Sequence, residues 1–168
     1  ILKDIGKLEE AEISYRKAIE INPNFAEAHS NLGVVLKNLG QVQEAELSCR
    51  KAIEINPELA KAYFNLSGFK YSNSNNDIWK NQLFSVNVLK NKSQVERIDI
   101  YFARANILHK EKNYRESAKY LKSANNLKLD LHPSNSIGLI NKSKELLIES
   151  DKKEINQEEI KNSSECIF

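Results

Sequence analysis

The sequence has no methionine, one tryptophan, three prolines, five scattered glycines and only two cysteines. Cys49 and Cys166 lie far apart, so neither a disulfide framework nor a metal-ligand spacing is present. No glycine-rich phosphate loop can be traced. No apolar run approaches the ~20 residues that a membrane helix needs, and no basic-then-apolar signal segment opens the chain. An excess of charge is lacking too. With 25 basic and 23 acidic residues, no global charge argues for nucleic acid. A mildly basic middle is the only bias, with 11 basic against 6 acidic residues in 72–136. These absences lead to the expectation of a soluble protein in a reducing, cytoplasmic setting.

What is present is a period. Shifting the sequence by 34 residues superposes Gly6 on Gly40, Glu10 on Glu44, Ala11 on Ala45, Ala18 on Ala52, Ile21 on Ile55 and Pro23 on Pro57. The same shift superposes Ala28 on Ala62, Asn31 on Asn65 and Leu32 on Leu66. A fixed period in this range signals a stacked array of repeats. The unit, residues 26–59, reads as two short helices separated by a turn at Gly40, with Pro57 ending the second. Leu32, Val35, Leu36 and Leu39 recur at helical spacing on the first helix, and Ala45, Cys49, Ala52 and Ile53 on the second. Gly33 and Ala45 are small where the two helices cross, so the backbones can approach closely.

This pattern resembles the tetratricopeptide-repeat (TPR) family. Leu32 and Gly33 match its Leu-Gly pair, Ala45 and Ala52 its two later small residues, and Pro57 its closing proline. His29 and Cys49 depart from it, because aromatic residues are usual or common there. The resemblance implies an all-α fold, a right-handed superhelical α-solenoid of helix-turn-helix repeats closed by a C-terminal capping helix. Residues 1–133 would form the array: a truncated repeat at 1–25, the complete one at 26–59, an irregular one at 60–92 and a degenerate one at 93–133. Residues 134–149 would be the capping helix and 150–168 a charged tail or linker. The absent initiator methionine and the start inside a repeat lead to the expectation of a fragment.

Along the chain, Ile1 to Ile5 read as the tail of one helix and Lys7 to Ile21 as the next. A helix is expected from Ala60 to Tyr71, with Ser67 in the place of Gly33. The polar stretch 72–76 then breaks the register. A helix capped by Asp77 should carry Trp79, Leu83, Val86 and Leu89 on one face, with Trp79 too large for the usual packing distance. Ser93 and Glu96 have capping-box spacing and open a helix from Gln94 to Lys112. Lys112-Asn113 makes a turn, and Tyr114 to Leu127 forms the last repeat helix. In the first helix of this degenerate repeat, Ala105 takes the small position and Arg104 replaces the expected leucine. Ser136 to Glu149 reads as the cap, with Ile137, Ile140 and Leu147 on one stripe.

No catalytic constellation emerges, and no catalytic residue, metal ligand or cofactor is assigned. His29 reads as a packed or hydrogen-bonded side chain. His109 and His132 have no Cys, His or Asp partner at ligand spacing. Lys110, Lys112, Arg115, Lys119 and Lys122 cluster near Tyr114, but a solvated helix face is the more economical reading than a nucleic-acid surface.

The resemblance instead implies a binding groove lined by the first helix of each repeat. Glu27, Ser30, Asn31, Val34, Lys37 and Asn38 would face it from the complete repeat. Lys61, Phe64, Asn65, Gly68 and Tyr71 would come from the next, and Asp99, Phe102, Asn106 and His109 from the degenerate one. Asn31 and Asn65, one repeat apart, can form a ladder of amides that donate to and accept from a peptide backbone. Such ladders line the TPR arm of protein O-glycosyltransferases. The carboxylate clamp of chaperone-binding TPR domains is matched only by Lys61 and Asn65, because Ser30 and Ala103 stand where it has Lys and Arg.

The expected function is a non-catalytic interaction module for an extended peptide or partner domain, with no membrane or nucleic-acid partner. In an alternative reading, the arrangement looks like the N-terminal half of bacterial chains that join TPR repeats to a PAPS-dependent sulfotransferase. Ser150 to Glu165 resembles their linker, and the phosphate-binding loop would lie beyond Phe168. A third reading is self-association through Leu2, Ile5 and Leu8 of the truncated helix.

Overall fold

A computed structural model describes residues 2–69 and 78–131, together with the isolated positions 144, 145, 147 and 148, which are all helical. Among the described residues every regular element is helical. The elements are α1 (Leu2–Ile21), α2 (Ala26–Asn38), α3 (Val42–Ile55), α4 (Ala60–Ser67), α5 (Ile78–Phe84), a 3-10 turn at Asn87–Leu89, α6 (Gln94–Lys110) and α7 (Tyr114–Leu131). The chain divides into two compact units, residues 1–103 and 104–168, and the boundary falls within α6.

In the first unit, α2 packs on α1 and α3, and α4 packs on α2 and α3. Of the stripes read from the sequence in the complete repeat, Leu32, Val35, Leu36, Ala45, Cys49, Ala52 and Ile53 are buried and Leu39 is half-buried. Leu36, Ala45, Cys49, Ala52, Ala62, Tyr63 and Leu66 are wholly enclosed, and each large side chain among them contributes about 1.5–3 kcal/mol of transfer free energy. The closest approach is at Gly33. A Cβ there would collide with Cys49 Sγ and lie 2.9 Å from the carbonyl oxygen of Ala45. Gly33 thus sets the distance between α2 and α3, and Cys49 takes the enclosed volume that an aromatic residue commonly fills.

The repeat extends to the hydrogen bonds. Asn22 Oδ1 accepts from the backbone N–H of Asn24 (3.1 Å), and Asn56 Oδ1 from that of Glu58 (3.0 Å). These Asx turns carry the chain around Pro23 and Pro57 into α2 and α4. His29 Nε2 donates to the carbonyl of Pro23 (2.9 Å), and one repeat later Tyr63 Oη donates to that of Pro57 (2.9 Å). His29 departs from the usual aromatic residue but reproduces its hydrogen bond.

Three boundaries in the first unit differ from expectation. First, α1 runs through Gly6 without a turn. Second, α4 ends at Ser67 rather than reaching Tyr71. Ser67 Oγ bonds the Phe64 carbonyl (2.7 Å), and the N–H groups of Gly68 and Phe69 bond the carbonyls three residues back. These tight bonds end the α-helical ladder. Third, α5 stops at Phe84, where Ser85 Oγ donates to the Gln82 carbonyl (2.8 Å). Trp79 and Leu83 are buried as expected, but Val86 is 86% exposed and Val88 takes its place in the core.

The start of α6 is the capping box anticipated. Glu96 Oε2 accepts from the backbone N–H of Ser93 (2.9 Å), and Ser93 Oγ accepts from the N–H of Glu96 (3.3 Å). Hydrogen bonds from Ser93 hold the Glu96 carboxyl below its ordinary range. Just ahead, the nearly enclosed Lys92 ammonium donates to the Glu58 carbonyl (2.6 Å) and pairs with the Glu58 carboxylate (3.0 Å). This pins the irregular third repeat to the turn before α4.

In the second unit, Ser117 Oγ donates to the buried carbonyl of Ala105 (2.8 Å). Arg104 is buried rather than disruptive, with its guanidinium 5.4 Å from the centre of the Tyr120 ring. α6 is 17 residues long against 13 for α2, a difference of about one helical turn. Its end copies that of α2 all the same. Gly40 and Lys112 have φ of 81° and 62°, and the following N–H groups reach back to Leu36 (2.8 Å) and Leu108 (2.9 Å), the Schellman closure. α7 continues to Leu131, four residues past the expected Leu127. Tyr71, the stretch 72–76, Asp77, His132, most of the expected capping helix and the tail at 150–168 lie outside the described residues.

Candidate functional site

Residues at the same or adjacent repeat positions come together on the first helices of the repeats. In the first unit, contacts of two kinds join these helices. Asn65 Nδ2 on α4 donates to Ser30 Oγ on α2 at 3.0 Å, and the Phe64 ring on α4 lies 6.2 Å from the Phe102 ring on α6 with a 56° tilt. The expected lining residues Ser30, Asn65, Phe64 and Phe102 are therefore neighbours in pairs.

Their availability differs. Glu27, Lys37, Asn38 and Lys61 are exposed, and Val34 is 37% exposed. Asn31, Phe64, Asn65, Asp99 and Phe102 are partly exposed. Ser30 is only 1% exposed, sealed by the amide of Asn65. The two rungs of the expected ladder are thus unequal. Asn65 already spends a donor inside the fold, whereas Asn31 has no hydrogen-bond partner among the described residues. Tyr71 lies outside those residues. Asn106 and His109 belong to the second unit, where the His109 ring stands edge-on to Tyr114 at 5.2 Å.

Aromatic rings hold the cations of this face. The Lys61 ammonium sits 5.6 Å from the centre of Phe64, and the Lys37 ammonium 5.2 Å from that of Phe69. Lys37 also occupies the space beside Gly68, where a Cβ would lie 2.9 Å from its Nζ. The Asp99 carboxyl is pushed up by burial, while attraction to Lys61 opposes that shift. The platform formed by Phe69 was missed by sequence reasoning. The repeat register nonetheless makes it the equivalent of the buried Val35, and Phe69 is 2% exposed.

The remaining chemistry is quiet. Burial pushes the Cys49 thiol up to about 12, so it holds no thiolate near neutral pH. Among the described residues no group of His, Cys, Asp and Glu could hold a metal ion, and no helix is long and apolar enough to cross a membrane. Lys110, Lys112, Arg115, Lys119 and Lys122 are all exposed, and Lys119 pairs with Glu116.

Family models described as tetratricopeptide repeat match residues 26–59 and 98–130, and one described as TPR repeat matches residues 1–40. Together they span more than half of the chain. The last match begins at 98, whereas two steps of 34 from 26 lead to 94; the offset of four is the extra turn of α6. No curated protein matches the chain.

Proposed function

Because the chain belongs to the tetratricopeptide-repeat family, we propose that it is a non-catalytic protein–protein interaction module. It holds an extended peptide or a partner domain against the face made by α2, α4 and the first turns of α6. One observation carries the reading: these three helices are joined side to side by the Asn65–Ser30 and Phe64–Phe102 contacts. Their outer surface presents the amide of Asn31, which has no hydrogen-bond partner among the described residues, together with partly exposed rings and exposed lysines. An amide that both donates and accepts matches a peptide group whatever its side chain, and apolar rings supply the desolvated contact that most binding energy needs.

The test is site-specific crosslinking in a cell extract. A photoreactive benzoylphenylalanine at position 31 should capture a partner protein, whereas the same group at the exposed Leu47 of α3 should not. Capture from position 47 alone would place binding elsewhere and overturn the proposal.

A further inference from the structure

Positions 30, 64 and 102 are equivalent in repeat register, yet they hold Ser, Phe and Phe. Ser30 is sealed beneath Asn65, but Phe64 and Phe102 remain partly exposed. Their rings stand at 56° with centroids 6.2 Å apart, so they present two angled apolar surfaces rather than a closed stack. Rings left partly in water still have part of their burial free energy to gain.

The charges around them cancel. Lys61 lies over Phe64 and draws the carboxylate of Asp99. Glu96, also close enough to act on Asp99, is paired with Lys92 at 3.5 Å. An acidic side chain entering here would be drawn by Lys61 but repelled by Asp99 and Glu96, and a basic one the reverse, so either would give up hydration without a net attraction in return. A neutral apolar side chain has no such penalty and covers both rings.

We infer that this face selects peptides through one aromatic or large aliphatic side chain seated on Phe64 and Phe102. The inference rests on the function proposed above and names its ligand class: an extended segment anchored by an uncharged residue, with its backbone reached by Asn31.

A phage-displayed random peptide library panned against the full chain tests both levels. The enriched peptides should share one aromatic or large aliphatic position. Their affinity should fall about tenfold or more in Phe102→Ala and less than about threefold in Lys61→Ala. To keep the result independent of folding, 4-fluorophenylalanine at position 102 should show a shifted fluorine resonance when an enriched peptide is added. Peptides sharing an acidic or basic anchor, or peptides that leave the resonance unmoved, would overturn the anchor and leave the interaction module standing. Enrichment of no peptide at all would overturn both.

Discussion

Asn31→Ala and Asn65→Ala are the same change one repeat apart, and they should behave differently. Both residues sit in the body of a first helix, so the gain in helix propensity, about half a kcal/mol, is shared and cancels in the comparison. What remains is tertiary. Asn65 donates at 3.0 Å to a hydroxyl that is 1% exposed, and losing that bond removes about 0.5–1.5 kcal/mol. A serine in a helix can turn its hydroxyl onto a carbonyl of the preceding turn, which would recover part of the desolvation cost. Asn65→Ala should therefore be about 1–2 kcal/mol less stable than Asn31→Ala, with Asn31→Ala within about 0.5 kcal/mol of the parent. Urea unfolding followed by far-UV circular dichroism measures both. A cycle with Ser30→Ala should return a coupling of about 1 kcal/mol. Equal stability of the two variants, or a coupling of zero, would refute the claim that Asn65 is held inside the fold. The consequence for function is direct: loss of binding in Asn65→Ala reports folding as well as contact, whereas Asn31→Ala reports contact alone.

Gly33→Ala should cost about 2–3 kcal/mol, because the new Cβ meets the Ala45 carbonyl at 2.9 Å and cannot be relieved by a rotamer change; urea unfolding with an unshifted midpoint would contradict this. At the equivalent turns, Lys112→Gly should raise stability by about 0.5–1 kcal/mol and Gly40→Ala should lower it by about 1 kcal/mol, since both positions have positive φ. Thermal unfolding should show midpoints moving in opposite directions, and movement in the same direction would refute the shared closure.

The regular part of the fold was legible because each repeat solves the same packing problem with the same residues. The step of 34 predicted the crossing at Gly33 and Ala45, and the capping box at Ser93 and Glu96 could be read from spacing alone. The third repeat was less legible for a local reason. Ser67 and Ser85 each turn a hydroxyl back onto a carbonyl three residues earlier, and such bonds compete with the helix without altering the apolar pattern. Trp79, Leu83 and Val86 fit a helical stripe equally well whether or not the helix continues past Ser85. The candidate face was legible to the level of position only. Register names the residues that share a face, but not the one whose amide is turned inward. Asn31 and Asn65 thus looked identical until the Ser30 hydroxyl was placed beneath one of them.

That limit explains where variation can enter such a chain. The crossing at Gly33, Ala45 and Cys49 admits almost no added volume, since the Cβ of one alanine already strikes backbone. The turns need a residue that accepts positive φ, and Lys112 shows that a side chain can be carried there at a cost. Positions 30, 64 and 102 carry no such constraint. They lie between neighbouring first helices, where a serine can be sealed by the amide of Asn65 and a phenylalanine can remain partly exposed. The surface can therefore change from polar at α2 to aromatic at α4 and α6 without disturbing the distance between helices. If recognition is built on the partly exposed rings, replacing Phe64 or Phe102 with another large apolar residue should alter which peptides bind before it alters how stably the repeats stack.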